Sequence, residues 1–176
     1  MSHLKYVDSR VTFSEFPEEI ALTLSISGCP CNCKNCSSDY LKTDIGAELT
    51  FEELDKLISS NNSISCLGFL GGDNNHQELV ELAKYVKSKY NIKVGFYSGF
   101  DYIDISLIPY LDYYKIGRWI FPEGEKKSWW KKNCGPISFP FSNQLMFKIE
   151  NGKLINISSR FRNIENANLE GYIITK

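Results

Sequence analysis

The sequence predicts an α/β fold: a mostly parallel sheet with right-handed crossovers, finished by a C-terminal β-hairpin. Three observations carry this. Strand-like and helix-like periodicities alternate along the chain, most strands stop at a glycine, and an Asn-Gly pair separates two short apolar runs near the C-terminal end. At 176 residues the chain has the length of one domain, and no repeat, low-complexity tract or linker divides it, so residues 1–176 are read as one unit. A domain of this size buries about 70% of the surface its unfolded chain exposes, enough for a core without disulfide staples.

The elements follow in order. Ile20 to Ser27 alternates apolar with small or polar residues, the period of a half-buried strand, and ends at Gly28. Thr50-Phe51-Glu52-Glu53 reads as a capping box, with Thr50 capping and Glu53 reaching back, ahead of the periodic Leu54, Leu57 and Ile58 of a helix. Cys66 to Leu70 is a short apolar run stopped by Gly71-Gly72, a buried strand. His76 to Lys87 sets Leu79, Leu82, Ala83 and Val86 on one helical face, with His76 as an exposed turn residue at its start. Ile92 to Tyr97 is a strand ended by Ser98-Gly99, a short helix is expected near Ile105–Leu111, and Tyr113 to Ile116 is a further strand. From Phe121 to Pro140 the pattern breaks into Pro, Gly, Lys and Trp, which reads as a long loop or insertion. Met146–Ile149 and Leu154–Ile157 flank Asn151-Gly152 as a hairpin, and the last stretch is polar.

Twenty Lys and Arg oppose twenty-one Asp and Glu, a net charge of -1, without the electrostatic footprint of a nucleic-acid or anionic-membrane binder. No run of about 18 apolar residues offers a membrane span, and MSHLKYVDSR holds no apolar core of a secretory signal. A cytoplasmic protein is expected. That compartment keeps thiols reduced, so six cysteines speak for metal chemistry rather than disulfides. Four of them lie within eight residues, as Cys29-Pro30-Cys31-Asn32-Cys33-Lys34-Asn35-Cys36, while Cys66 and Cys134 stand apart as small hydrophobes or idle thiols. The first, third and fourth form C-x3-C-x2-C, and Cys31 is an extra thiol. Structural zinc usually draws its ligands as two separated pairs, and no second pair follows. A four-iron cluster held by three cysteines keeps one iron open to another ligand.

In parallel α/β sheets ligands sit beyond the C-terminal ends of the strands. The cysteine loop, Gly71-Gly72-Asp73 and Tyr97-Ser98-Gly99 all fall at such ends, whereas Asp112 to Lys115 lies at the start of a strand or within it. Residues far apart in sequence are thereby expected to converge.

C-x3-C-x2-C directly after the first strand, with a glycine pair ending the next, is similar to the radical S-adenosylmethionine superfamily. Within it, the order GCPCNCKNC, FLGGD, FYSG, DYYKIG and SNQ resembles the activating proteins of anaerobic (class III) ribonucleoside-triphosphate reductases, from about Val11 to Ile149. The resemblance implies a partial (β/α) barrel of the radical SAM type. It implies a [4Fe-4S] cluster on Cys29, Cys33 and Cys36, with S-adenosylmethionine on the open iron. Reductive cleavage would give a 5'-deoxyadenosyl radical that takes a Cα hydrogen from a glycine of the partner reductase, with a flavodoxin as electron donor. It further implies that Gly71 and Gly72 let backbone approach the cofactor, that Asp73 accepts from the methionine ammonium, and that Ser98 and Gly99 line the cofactor. Asp112 and Lys115 match the D-Y-x-K stretch near its carboxylate. Asn143-Gln144 matches a T-N-Q stretch in which Ser142 replaces Thr, with a role in substrate docking or in the hairpin.

Three departures from the resemblance stand out. Asp73 occupies a position where much of the superfamily has Glu. Asn35, carried over as a cofactor-side residue, stands where an aromatic ring is common. Cys31 is either a bystander or a thiol able to ligate the open iron when S-adenosylmethionine is absent. Other readings remain open: a related small enzyme acting on a small molecule, such as a carboxydeazaguanine synthase, or a zinc- or iron-sulfur-binding module without catalysis. Gly71-Gly72-Asp73 taken alone is a tight turn, and Asp112 with Lys115 a surface pair. Within residues 123–132, Glu125-Lys126-Lys127-Ser128-Trp129-Trp130-Lys131-Lys132 mixes basic and aromatic residues, as a docking surface for the reductase or a solvated face.

Overall fold

Strand direction and register determine where the chemistry-bearing loops emerge. The computed structural model describes residues 3–122 and 134–162. One sheet contains β1 (Lys5–Thr12), β2 (Ala21–Ile26), β3 (Ala47–Glu48), β4 (Cys66–Leu70), β5 (Lys93–Tyr97), β6 (Tyr113–Ile116), β7 (Leu145–Glu150) and β8 (Lys153–Asn156). Their spatial order is β3-β1-β2-β4-β5-β6-β7-β8. The central strands β2, β4, β5 and β6 run parallel. The outer pairings, four of the seven, are antiparallel. Two α-helices accompany them among the described residues, α1 (Phe51–Ser59) and α2 (His76–Lys89).

This corrects the expected fold class. The sheet is mixed, with a majority of antiparallel pairings and only two helices, and it is not a mostly parallel partial barrel of the radical SAM type. Two local causes account for the difference. β1 is intermediate or exposed along its whole length, so its sequence carries no burial pattern, yet it pairs antiparallel with β2 and brings β3 with it. Between β5 and β6 the expected helix is only a 3-10 turn at Ile108–Tyr110, where Pro109 lacks the N–H a longer helix would use. The hairpin is present, with Asn151 (φ 51°) and Gly152 (φ 73°) both left-handed as its tight turn requires.

Local chemistry explains the helix starts. The Thr50 hydroxyl accepts from the Glu53 N–H at 3.2 Å, and Asn75 caps α2 by accepting from the Glu78 N–H at 3.2 Å. Glu53 does not complete the capping box: its carboxylate takes the Tyr6 hydroxyl at 2.6 Å, which ties α1 to β1. No helix among the described residues is long and apolar enough to cross a membrane.

Alternation along the strands separates the two faces of the sheet. Leu22, Leu24, Leu67, Phe69, Val94 and Phe96 form one core with Leu54 of α1 and Leu79, Leu82 and Val86 of α2. The other face is arranged in rows by register. Thr23, Gly68, Gly95 and Tyr113 stand abreast, and one step further so do Ser25, Leu70, Tyr97 and Lys115. Phe16, from the β1–β2 connection, packs on the glycine row and is fully buried. A Cβ at Gly68 would meet its ring at 2.5 Å and one at Gly95 at 2.2 Å, so both positions need glycine for contact rather than for conformation. The ring also meets Tyr97 edge-on at 5.3 Å between centroids. Below it, burial pushes the Glu19 carboxyl up, but hydrogen bonds from Lys93, Ser65 and Tyr113 outweigh burial and hold it below its usual value.

Overpacking a filled contact of this kind costs about 1–3 kcal/mol. Gly95→Ala is expected to lower the urea midpoint accordingly at an unchanged slope, and adding Phe16→Leu should restore part of the loss. An unaltered midpoint in Gly95→Ala would show that the ring is not confined by the glycine row.

Candidate functional site

Because β2, β4, β5 and β6 run the same way, the loops that leave them share one edge of the sheet. A cavity of about 560 Å³ lies there. Its floor is the row Ser25, Leu70, Tyr97 and Lys115, with the Phe16 ring behind Tyr97. Cys29, Cys31, Cys33 and Cys36 line it from the loop after β2, Gly71 and Asp73 from the loop after β4, and Ser98 and Gly99 from the loop after β5.

The cysteine loop turns at Gly28 (φ 77°), Asn32 (φ 45°) and Asn35 (φ 53°), all in the left-handed region that Gly and Asn enter most easily. These turns bring all four thiols to the cavity. The Cys29 N–H donates to the Leu41 carbonyl at 2.9 Å, and the Lys42 ammonium donates to the Cys33 carbonyl at 3.2 Å. Backbone N–H groups also point at sulfur: Ser38 donates to Cys36 Sγ at 3.4 Å, and Trp119 donates to Cys33. Burial pushes the Cys33 thiol up, against the pull of that Trp119 donor. All six cysteines are free thiols. Among the described residues no three His, Cys, Asp or Glu side chains converge as ligands of one metal ion. The four thiols of this one loop line the cavity instead, a donor set that suits a cluster whose irons take one thiolate each.

Asp73 fastens the next two loops together. Its side chain is 2% exposed, and its carboxylate accepts from Ser98 Oγ at 2.5 Å and the Gly99 N–H at 2.8 Å. His76 Nε2 stands 3.4 Å from the same carboxylate, and His76 Nδ1 lies 2.7 Å from Asp104. Gly71 (φ 101°) and Gly72 (φ 119°) form the left-handed turn that presents Asp73.

Residues 19–121 match the family model described as a 4Fe-4S single cluster domain. The match covers more than half of the chain and includes the whole cysteine loop. The chain belongs to this family of 4Fe-4S single cluster domains. No curated protein and no solved structure gives a significant match.

Within this 4Fe-4S domain, the residues named from sequence are not all brought together. Cys29, Cys33, Cys36, Gly71, Asp73, Ser98, Gly99 and Lys115 line one cavity. Gly72 turns the other way, where a Cβ would approach Leu79 and Phe96 of the helix-side core. Asn35 is exposed and does not line the cavity, so its part here is the turn. Asp112 lies at the opposite end of β6, where it accepts from Lys87 Nζ and the Val94 N–H, each at 2.8 Å. Lys115, three residues on, does reach the floor: its Nζ stands 4.7 Å from the centre of the Tyr97 ring. Burial pulls its ammonium down to about 8, against the opposing charge of Glu15.

Gln144 lines the cavity and donates to the Gly117 carbonyl at 3.3 Å, and Asn143 donates to the Arg118 carbonyl at 2.9 Å, so both brace the loop after β6. Cys66 sits on β4, away from the cavity, with its thiol pushed up by burial. The basic and aromatic run 125–132 lies outside the described residues. Sequence reasoning placed Tyr97 at a ligand-facing strand end without giving it a role, and passed over Trp119, whose buried indole N–H has no partner among the described residues. Strand register alone would have found Tyr97, since it stands abreast of Lys115.

His76 is not the exposed turn residue expected. Its hydrogen bond to Asp73 raises its pKa above 6.5, burial opposes, and Asp104 adds to the rise. A histidine whose folded pKa is raised contributes stability that is fully present below its unfolded value and is lost as pH rises through the folded one. His76→Gln should therefore remove a stability loss that the wild type shows as pH rises from about 6.5 through neutral. Identical pH–stability profiles for the two proteins would sink this assignment.

Proposed function

We propose that this 4Fe-4S domain cleaves S-adenosylmethionine reductively and uses the resulting 5'-deoxyadenosyl radical to generate a glycyl radical on an anaerobic ribonucleoside-triphosphate reductase. One observation carries the reading: Cys29, Cys33 and Cys36 open on the same cavity as Gly71, Asp73, Ser98, Gly99 and Lys115, the residues that the sequence resemblance associates with the cofactor. A bound cluster supplies an electron and, with three thiolate ligands, an iron open to the amino and carboxylate groups of S-adenosylmethionine.

The chain's own residues divide the remaining work. Cys29, Cys33 and Cys36 hold the cluster, and the Ser38 and Trp119 N–H groups steady two of their sulfurs. Lys115 offers a cation to a carboxylate from the floor. With its pKa at about 8 it is still mostly protonated at neutral pH, and an anionic ligand beside it would hold the proton more firmly. A carboxylate has roughly four acceptor positions. Ser98, Gly99 and His76 occupy three of those on Asp73, which leaves one for an ammonium. Trp119 lines the wall, and its buried indole N–H has no partner among the described residues. Tyr97 lines the floor and is backed by the fully buried Phe16 ring. Under this reading the glycine-bearing loop of the reductase enters from the open side, and an electron donor such as flavodoxin reduces the cluster.

The direct test is the electron paramagnetic resonance spectrum of anaerobically reduced protein with and without S-adenosylmethionine. Shifted g-values, with 5'-deoxyadenosine released when the reductase is added, are the expected result, and Cys33→Ala should lose cluster and response together. A cluster signal indifferent to S-adenosylmethionine would overturn the reading. Release of 5'-deoxyadenosine that ignores the reductase would instead favour a small-molecule substrate. Loss of a charged hydrogen-bond donor costs about 1.5–3 kcal/mol, so Lys115→Met should raise the S-adenosylmethionine concentration for half of the spectral shift by about tenfold or more.

A further inference from the structure

The cysteine loop presents one thiol more than a three-ligand cluster uses. Cys31 is half-buried and lines the cavity beside Cys29, Cys33 and Cys36. Its thiol is hydrogen-bonded to that of Cys29 and faces Cys33 and the Asp73 carboxylate. The wall opposite is shaped around it: a Cβ at Gly99 would lie 2.5 Å from Cys31 Sγ, so a larger residue there would displace the thiol. The left-handed Asn32 between them lets Cys31 and Cys33 turn to the same side, and Cys33 Sγ lies 3.8 Å from the Cys31 carbonyl oxygen. No other side chain of this wall is so placed, since the Asp73 carboxylate is held by Ser98 and Gly99, and His76 by two carboxylates.

We propose that Cys31 is the fourth thiolate ligand of the resting cluster, closing the iron that Cys29, Cys33 and Cys36 leave open, and that it gives up this iron to an incoming ligand bearing amino and carboxylate groups. The first half rests on the cluster alone, and the second half rests on the proposed reaction. In the exchange one iron–sulfur bond breaks and bonds from iron to nitrogen and oxygen form. The departing thiolate keeps the electron pair and takes the proton that the ligand's ammonium gives up in binding iron through nitrogen, and no iron changes oxidation state. Cysteine ligation at all four irons resists loss of metal, whereas an iron without a thiolate is the one lost on oxidation.

The experiment is ferricyanide oxidation of the anaerobically loaded protein in the absence of S-adenosylmethionine, with the three-iron cluster counted by electron paramagnetic resonance. Wild type should keep its four-iron cluster, and Cys31→Ala at equal iron loading should give a severalfold larger three-iron signal. Gly99→Ala, which pushes the thiol aside without removing it, should behave like Cys31→Ala. Conversion of wild type as complete as that of Cys31→Ala overturns the proposal. Should neither variant load a cluster, wild type decides by itself: retention of four sulfur-coordinated irons in its Mössbauer spectrum supports the proposal, and conversion overturns it. Adding S-adenosylmethionine to reduced Cys31→Ala separates this proposal from the reaction. A g-shift there together with a wild type that converts leaves the reaction standing and removes the role of Cys31. A protected wild type whose cluster ignores S-adenosylmethionine keeps that ligand role and removes the reaction.

Discussion

The cavity depends on one constraint: the common direction of β2, β4, β5 and β6. Only parallel neighbours send successive loops out of the same edge, and each such pairing requires the chain to travel back across the sheet first. Helices α1 and α2 make two of those return journeys and bury their apolar faces on the way. The third return is made by a short segment with a single 3-10 turn. The antiparallel strands flank this parallel centre on both sides, and the β1–β2 connection reaches the cavity through Glu15, whose carbonyl accepts from the Tyr97 hydroxyl.

The buried charges around this centre have different environments and so different tasks. Glu19 is surrounded by donors and serves as a structural anion beneath the Phe16 ring. Asp73 is equally well satisfied but lies at the cavity wall, where its bonds decide how the loops after β4 and β5 sit together. Lys115 is the exception, a cation on the floor with an aromatic ring as its neighbour and a proton held less tightly than usual. A buried cation without a full set of acceptors stores an unmet demand for negative charge, and here that demand points into the cavity.

How much was legible in the sequence depended on whether the signal was local. Cys66–Leu70 is an apolar run and Tyr113–Ile116 a stretch rich in aromatic and β-branched residues, both bounded by turn residues, and the structure has strands at those positions. The Thr50 cap and the Asn-Gly hairpin turn are equally local and equally visible. β1 was not, because a flanking strand with no buried residue has no hydrophobic period to show. That omission, with the missing helix before β6, turned a mixed sheet into an expected mostly parallel one, and the barrel came from the resemblance. The spacing of the cysteines was a strong signal for a cluster because the motif is complete within one loop. Asp112 and Lys115 were paired because they match the D-Y-x-K stretch of the resemblance, yet three residues of extended strand set them about 10 Å apart, and only Lys115 arrives at the cavity. His76 and Trp119 depend on partners or neighbours from distant segments, which no local pattern records.

The Phe16 contact with Gly68 and Gly95 gives one floor residue its backing: the ring fills the glycine row behind Tyr97 and meets it edge-on. Neither strand contributes a side chain at that level, so Tyr97 leans on a ring from a connection between two other strands. The support of the floor is thereby uncoupled from the residues that hold the sheet together. A change in the bulk of the segment before β2 would alter what Tyr97 rests on while leaving the cysteine loop, the Asp73 knot and the parallel register where they are. The pose of one floor ring can in this way be adjusted from outside the site by altering one aromatic residue.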